Sequence, residues 1–258
     1  DHMVEADAKD FLTEAIAALK DYDQPEREDW WKFLEAKRQE RQALLEQMMD
    51  MDKEPPNPAR VMRELVRQLP EERIITVGAG THLLWAVDFV PCLKPLTYLS
   101  AINFGAMGFG FPGAMGAKLA RPEAQVVSII GDGDFMMTIQ DLETACREGI
   151  NVRILVINDY RYGVLNMRQR FQYQGRFLGT EHGNPDFAAM ARSAGIEGVR
   201  VEKAAELGEA IEQAIRLNKP FLIDANIAAD MNPGGAGVWE LPGLGHKQPA
   251  IGGRCEMY

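Results

Sequence analysis

Two short apolar runs constrain this chain more than anything else in it, because each stops abruptly at glycine or at an oxygen-bearing side chain. Val126-Val127-Ser128-Ile129-Ile130 runs directly into Gly131-Asp132-Gly133-Asp134-Phe135, and Arg153-Ile154-Leu155-Val156-Ile157 into Asn158-Asp159. Apolar runs of this length, bounded by turn residues, read as strands buried on both faces. The stretch between them, 138–149, has room for one helical crossover. The two strands are therefore expected to lie parallel and to end at the same sheet edge.

The same alternation extends over most of the chain. Strands are expected at 73–77, 97–100, 126–130, 153–157, 198–201 and 221–225. Helices are expected at 59–69, 81–87, 108–120, 138–148, 185–194 and 204–217, with a long loop over 158–184. This pattern predicts an α/β fold, a doubly wound parallel sheet with helices on both faces. Three prolines within 55–58 mark its start, since proline ends a helix. The expected organisation is a helical segment over 1–56, the α/β domain over 57–230 and an irregular, glycine- and proline-rich tail over 231–258. Ligands of such sheets bind beyond the carboxyl ends of the strands. The turns at 78–80, 105–110 and 131–133 and the 158–159 corner all fall there.

Composition removes several classes of function. The net charge of −10 leaves no basic surplus to neutralise nucleic-acid phosphates. No apolar stretch approaches the ~18 residues of a membrane span, and the acidic start has no signal-peptide character. Cys92, Cys146 and Cys255 are too scattered for a zinc site or a disulfide framework, which points to a reducing cytoplasm.

The glycine-rich corners carry the chemistry. Val77-Gly78-Ala79-Gly80-Thr81-His82 passes from a strand into a helix start, where free backbone N–H groups and the helix dipole attract an anion. Asp132 and Asp159 offer hard oxygen ligands of the kind magnesium takes, usually together with phosphate oxygens and water. A magnesium-diphosphate site is the expectation. Gly108-Phe109-Gly110-Phe111-Pro112-Gly113 also fits the dinucleotide pattern GxGxxG, with Asp132 at a workable distance, but the strand before it is poor and Asp132 is embedded in Gly-Asp-Gly.

Gly80-Thr81-His82-Leu83-Leu84-Trp85-Ala86, the run from Gly105 through Met107 to Ala114, Gly131 to Met137, and Asn158-Asp159 together resemble the pyrophosphate-binding, C-terminal domain of thiamine diphosphate enzymes. Within these the acetolactate synthase-like group is most similar. The resemblance implies the thiamine diphosphate-binding fold, with thiamine diphosphate and Mg2+ as cofactors. It implies Asp132 and Asp159 as side-chain metal ligands and Arg161 as a carbonyl ligand. Gly80, Thr81, His82, Gly131, Gly133, Asp134, Tyr160, Tyr162 and Gly163 would surround the diphosphate. Met107 would lie under the thiazolium and Gly105 near the aminopyrimidine. On its own, Met107 also reads as core filling. Asp159 stands where most relatives carry Asn, and 161–168 and 239–244 depart from the substrate-facing segments of a strict acetolactate synthase.

The same resemblance implies a 2-oxo acid substrate, decarboxylated and then ligated to a second carbonyl. Simple decarboxylation or hydroxyacyl lysis is the alternative, and a non-catalytic cofactor-binding module the alternative of another class. The activating glutamate of these enzymes lies on a pyrimidine-binding domain that the sequence does not contain. Glu35, Glu40 and Glu46 read instead as a solvated helix face. A fragment or one subunit of a split pair is therefore expected, inactive alone, with the missing domain supplied in cis or as a separate subunit and the full-length enzyme a homo-oligomer.

Overall fold

The computed structural model describes residues 3–23, 25–51 and 53–229. The chain divides into two compact units, Asp1–Ala43 and Leu44–Tyr258. The first holds α1 (Ala8–Ala18) and most of α2 (Glu28–Asp50). Asp7 caps α1 by accepting the Lys9 N–H at 2.9 Å. Phe11, Leu12, Ile16, Trp30, Trp31 and Phe33 are exposed on these two helices, and α2 is laced by charge pairs one turn apart, such as Arg38 with Glu35.

In the second unit Asn57 starts α3 (Pro58–Gln68) by accepting the Ala59 N–H at 2.8 Å, with Pro58 at the first helical position. The side-chain amide of Asn57 donates to the Met48 carbonyl. Strand and helix then alternate: β1 (Arg73–Val77), α4 (Thr81–Phe89), β2 (Tyr98–Ser100), α5 (Gly110–Ala120), β3 (Gln125–Gly131), α6 (Asp132–Phe135), α7 (Asp141–Arg147), β4 (Arg153–Asn158), α8 (Gly163–Gln172), α9 (Phe187–Ser193), β5 (Glu197–Val201), α10 (Leu207–Arg216) and β6 (Phe221–Asn226). Among the described residues six strands make one parallel sheet in the order β2-β1-β3-β4-β6-β5.

Alternate side chains of the central strands enter two cores. Ile129, Leu155 and Ile223 pack with α3, α4 and α10 on one face. Ile130, Val156 and Leu222 pack with α5, α7 and α9 on the other. The sheet is doubly wound, as the alternation of apolar runs predicts. From β1 the chain moves outward to β2, whereas from β3 it moves the other way to β4. The strand ends of β1 and β3 therefore flank a crevice of the kind in which such sheets bind ligands.

The long loop expected over 158–184 is instead broken by α8. Its Gly163-Val164-Leu165-Asn166-Met167 start has no apolar periodicity, and only Asn166 and Met167 are buried. Tertiary contacts rather than an amphipathic pattern hold this helix. The three-proline boundary lies inside the second unit, which begins at Leu44 because Met48, near the end of α2, is buried in its core. The expected 231–258 tail lies outside the described residues.

Candidate functional site

At the β1/β3 crevice lies a cavity of about 240 Å³, lined by Gly80–His82, Gly105, Met107, Gly131–Asp134, Asp159 and 161–165. Three helix starts face it, α4 at Thr81, α6 at Asp132 and α8 at Gly163, and none has a side-chain cap. Ser, Asp or Asn at these caps would have used the first N–H groups internally. Left uncapped, they offer one concave place several donors and the positive ends of two longer helices, which suits a diphosphate.

Asp134 holds this arrangement together. Its buried carboxylate accepts the Ala79 N–H at 2.8 Å and the Gly108 N–H, and it lies 3.3 Å from His82 Nε2. One side chain thus ties three glycine turns together. Several glycines prove to be required by packing. A Cβ on Gly80 or Gly131 would fall 2.7 Å from the His82 ring, one on Gly163 2.7 Å from Thr81 Oγ1, and one on Gly133 2.6 Å from the Tyr162 ring. Gly108, at φ +91°, is needed for its backbone conformation. Met107 is 38 % exposed at the cavity wall, which sets aside its reading as core filling.

Two carboxylates share the buried end. Asp132 accepts the Gly133 N–H at 2.8 Å and the Asn184 side-chain N–H at 2.7 Å. Burial pushes its pKa up, against the lowering effect of these hydrogen bonds. Burial, and after it the charge of Asp132, raises Asp159 to about 7, with Arg161 opposing. Two neighbouring carboxylates whose pKa values are both raised have the oxygen chemistry that could hold a divalent cation. Tyr160, at φ 59°, turns the chain sharply just after Asp159. Beyond it Tyr162 N donates to Thr180 O at 2.8 Å and His182 N to Tyr160 O at 3.1 Å, around the Arg161–Glu181 bridge. In this kind of pair Arg161 keeps its own N–H and C=O off the partner strand, and its N–H reaches Asp159. The residues present fit a metal-diphosphate group. Among the described residues no group of three or more His, Cys, Asp or Glu is placed to hold a metal ion.

The sequence-predicted site residues thus come together in one place: the cavity gathers Gly80, Thr81, His82, Gly105, Met107, Gly131, Asp132, Gly133, Asp134, Asp159, Arg161, Tyr162 and Gly163. Tyr160 lies beside it with its ring toward Arg200. Asn158, half of the second strand-end pair, faces inward and is fully buried. Asn184 escaped the sequence reading. Its only signal is its place before Pro185, which marks a turn. The GxGxxG stretch does not follow a strand directly; Gly110 packs on the Gly78 backbone instead.

The family model for the thiamine pyrophosphate enzyme, C-terminal TPP binding domain, matches residues 78–225. The chain belongs to this family. It is 35% identical over 254 residues to an acetolactate synthase of Mycobacterium leprae, covering 95% of this chain and 39% of that protein. It is 34% identical over 225 residues to a probable acetolactate synthase large subunit of Methanocaldococcus jannaschii, covering 84% and 37%. With the mitochondrial acetolactate synthase catalytic subunit of Saccharomyces cerevisiae it shares 29% identity over 244 residues, covering 92% and 35%. The chain thus spans about two fifths of the length of these relatives and is acetolactate synthase-like. It is a thiamine diphosphate-binding domain of an enzyme, and the cavity described above lies within the matched segment.

Proposed function

We propose that this domain holds the diphosphate end of thiamine diphosphate, through Mg2+, in an enzyme that decarboxylates a 2-oxo acid and joins the product to a second carbonyl, as in acetolactate synthesis. One observation carries the reading: two pK-raised carboxylates and three uncapped helix starts converge on a single crevice at the strand switch. Relatives named acetolactate synthase support the reaction class.

Asp132 and Asp159 would ligate the cation by side chain and Arg161 by its carbonyl. The starts of α4, α6 and α8, from Gly80, Gly131 and Tyr162, would donate to the diphosphate. Thr81, His82, Gly133, Tyr160 and Gly163 shape that pocket, and Asp134 fixes the turns that form it. Met107 and Gly105 would flank the cofactor ring. When bound, thiamine diphosphate supplies the electron sink for the carbanion left by decarboxylation. The chain's part is to orient the cofactor and to keep water from its buried end. The activating carboxylate is assigned to a pyrimidine-binding domain, in cis or as a separate subunit, and the full-length enzyme is read as a homo-oligomer. No helix among the described residues is long and apolar enough to cross a membrane. Free Cys92 and Cys146 support a reducing, cytoplasmic setting.

Calorimetry with thiamine diphosphate and Mg2+ tests the binding role. Heat that requires both ligands and vanishes in Asp132→Ala supports it, and binding unaffected by that change refutes it. In an enzyme carrying both domains, acetolactate from pyruvate supports ligation, whereas acetaldehyde points to simple decarboxylation. Unchanged turnover in Asp132→Ala there would favour a non-catalytic module.

A further inference from the structure

Asp132 ends a buried polar chain whose other end is Asp224 on β6, a residue with no exposed surface. A carboxylate offers only acceptors, so Asp224 Oδ1 takes the Asn158 side-chain N–H at 2.8 Å. With its Nδ2 committed there, Asn158 presents Oδ1 to Asn184, whose Nδ2 donates at 2.8 Å. The same Nδ2 gives its other hydrogen to Asp132 Oδ2 at 2.7 Å. Asn184 Oδ1 is left as an acceptor and meets His182 Nδ1 at 2.9 Å, so that ring nitrogen carries the proton. Reversing either amide would set oxygen against oxygen in a dry place, where an unmade hydrogen bond is most costly. Asp224 Oδ2 accepts no hydrogen bond but lies 3.6 Å from the Arg200 guanidinium.

The backbone brings Asn184 to this point. Thr180 and His182 pair with Tyr162 and Tyr160, and Asn166 Nδ2 donates to Thr180 Oγ1 at 3.1 Å. The segment that carries Asn184 is therefore fixed to the loop that carries Asp159 and Arg161. An amide that grips Asp132 from this segment holds the two ends of the cation site in mutual register.

We propose that Asn184 is a positioning residue for the cation, setting the orientation of the Asp132 carboxylate, and that Asp224, acting through Asn158, sets the amide direction in which Asn184 works. The inference rests on the reading of Asp132 as a metal ligand. Partners of metal ligands typically contribute 10–100-fold to metal affinity.

Mn2+ titrated into the full chain with excess thiamine diphosphate, with free Mn2+ counted by electron paramagnetic resonance, tests both steps, and each variant is also melted thermally. Asn184→Ala is expected to weaken Mn2+ binding about 10-fold or more. Asn184→Ser, which keeps one donor, should fall between it and the parent and serves if the alanine variant does not fold. Asp224→Asn should weaken binding less, in the same direction, because a carboxamide lets the Asn158 amide reverse. Equal Mn2+ affinity in the parent and both Asn184 variants overturns the inference while leaving the metal site intact. So does a lowered melting temperature with unchanged affinity, which would make Asn184 structural only. A parent chain that binds no Mn2+, or binds it equally well as Asp132→Ala, overturns the metal site itself and this inference with it.

Discussion

Asp159 carries the electrostatic problem of the crevice in its simplest form. Burial and then the Asp132 charge lift its pKa from 3.8 to about 7. Between these values the folded chain keeps a proton that the unfolded chain releases. Without metal, its contribution is fully present below 3.8 and is lost as pH rises through about 7. In chelator, the melting temperature should therefore fall from about pH 5 to about pH 8, and Asp159→Asn should flatten that fall. Added Mg2+ should raise the melting temperature more at the alkaline end, where the carboxylate is ready to ligate. A flat parent profile would remove the raised carboxylate from the account. Asp134 makes a different prediction. Asp134→Ala would strip the acceptor from the part-buried N–H of Ala79 and the buried N–H of Gly108. At about 1–3 kcal/mol for each unsatisfied group, urea denaturation should show a loss of roughly 2–6 kcal/mol.

Among the elements, α4 and α8 are mutually dependent because Gly163, the first residue of α8, rests against Thr81, the first residue of α4. Gly163→Ala should force these helix starts apart, destabilise the chain by about 1–3 kcal/mol and weaken cofactor binding. Adding Thr81→Ala, which removes the Oγ1 and Cγ2 atoms in the way, should recover part of the stability. Chemical denaturation of the two single variants and the double variant measures this, and additive losses would mean the two helix starts are not coupled. Some of the helices that sequence alone disclosed have a local reason to form. α3 and α9 have their Asn57 and Asp186 caps, and α3 and α10 have strongly one-sided apolar faces. α8 has neither and forms only because the Tyr160–Gly163 turn and Thr180 hold it. The site divides along the same line. Asp132, Asp159 and the glycine turns at 78–80 and 131–133 were legible because each follows an apolar strand, where the fold itself dictates a ligand edge. Asn184 was hidden because its role depends on a pairing between 160–162 and 180–182 that no local pattern encodes. The glycines were legible in the sequence only as turns that let the backbone approach a ligand, yet His82, Thr81 and Tyr162 turn out to be what excludes a Cβ from them.

At the scale of the whole molecule, the question is what one wall of a crevice can do. The second unit supplies donors for a diphosphate and ligands for a cation, but among the described residues no carboxylate other than Asp132, Asp134 and Asp159 lines the cavity. All three are committed: two to the cation in the proposed reading, one to the backbone of Ala79 and Gly108. No acid is left there to protonate the far ring of the cofactor. Leu165 on the cavity wall, and Ile102 and Phe104 just before Gly105 in the chain, the last 93 % exposed, present apolar surface to water, a feature typical of surfaces that another protein part covers. Relatives with more than twice this length have room for such a part. The chain by itself is therefore expected to bind thiamine diphosphate with Mg2+ weakly and to release no carbon dioxide from pyruvate. In one polypeptide, or one mixture, with a pyrimidine-binding domain, binding should tighten and turnover appear. A carbon dioxide assay run on the chain alone, and then with that domain added, decides between the two arrangements. Steady turnover by the chain alone would mean that the chain itself supplies a proton donor for the cofactor ring.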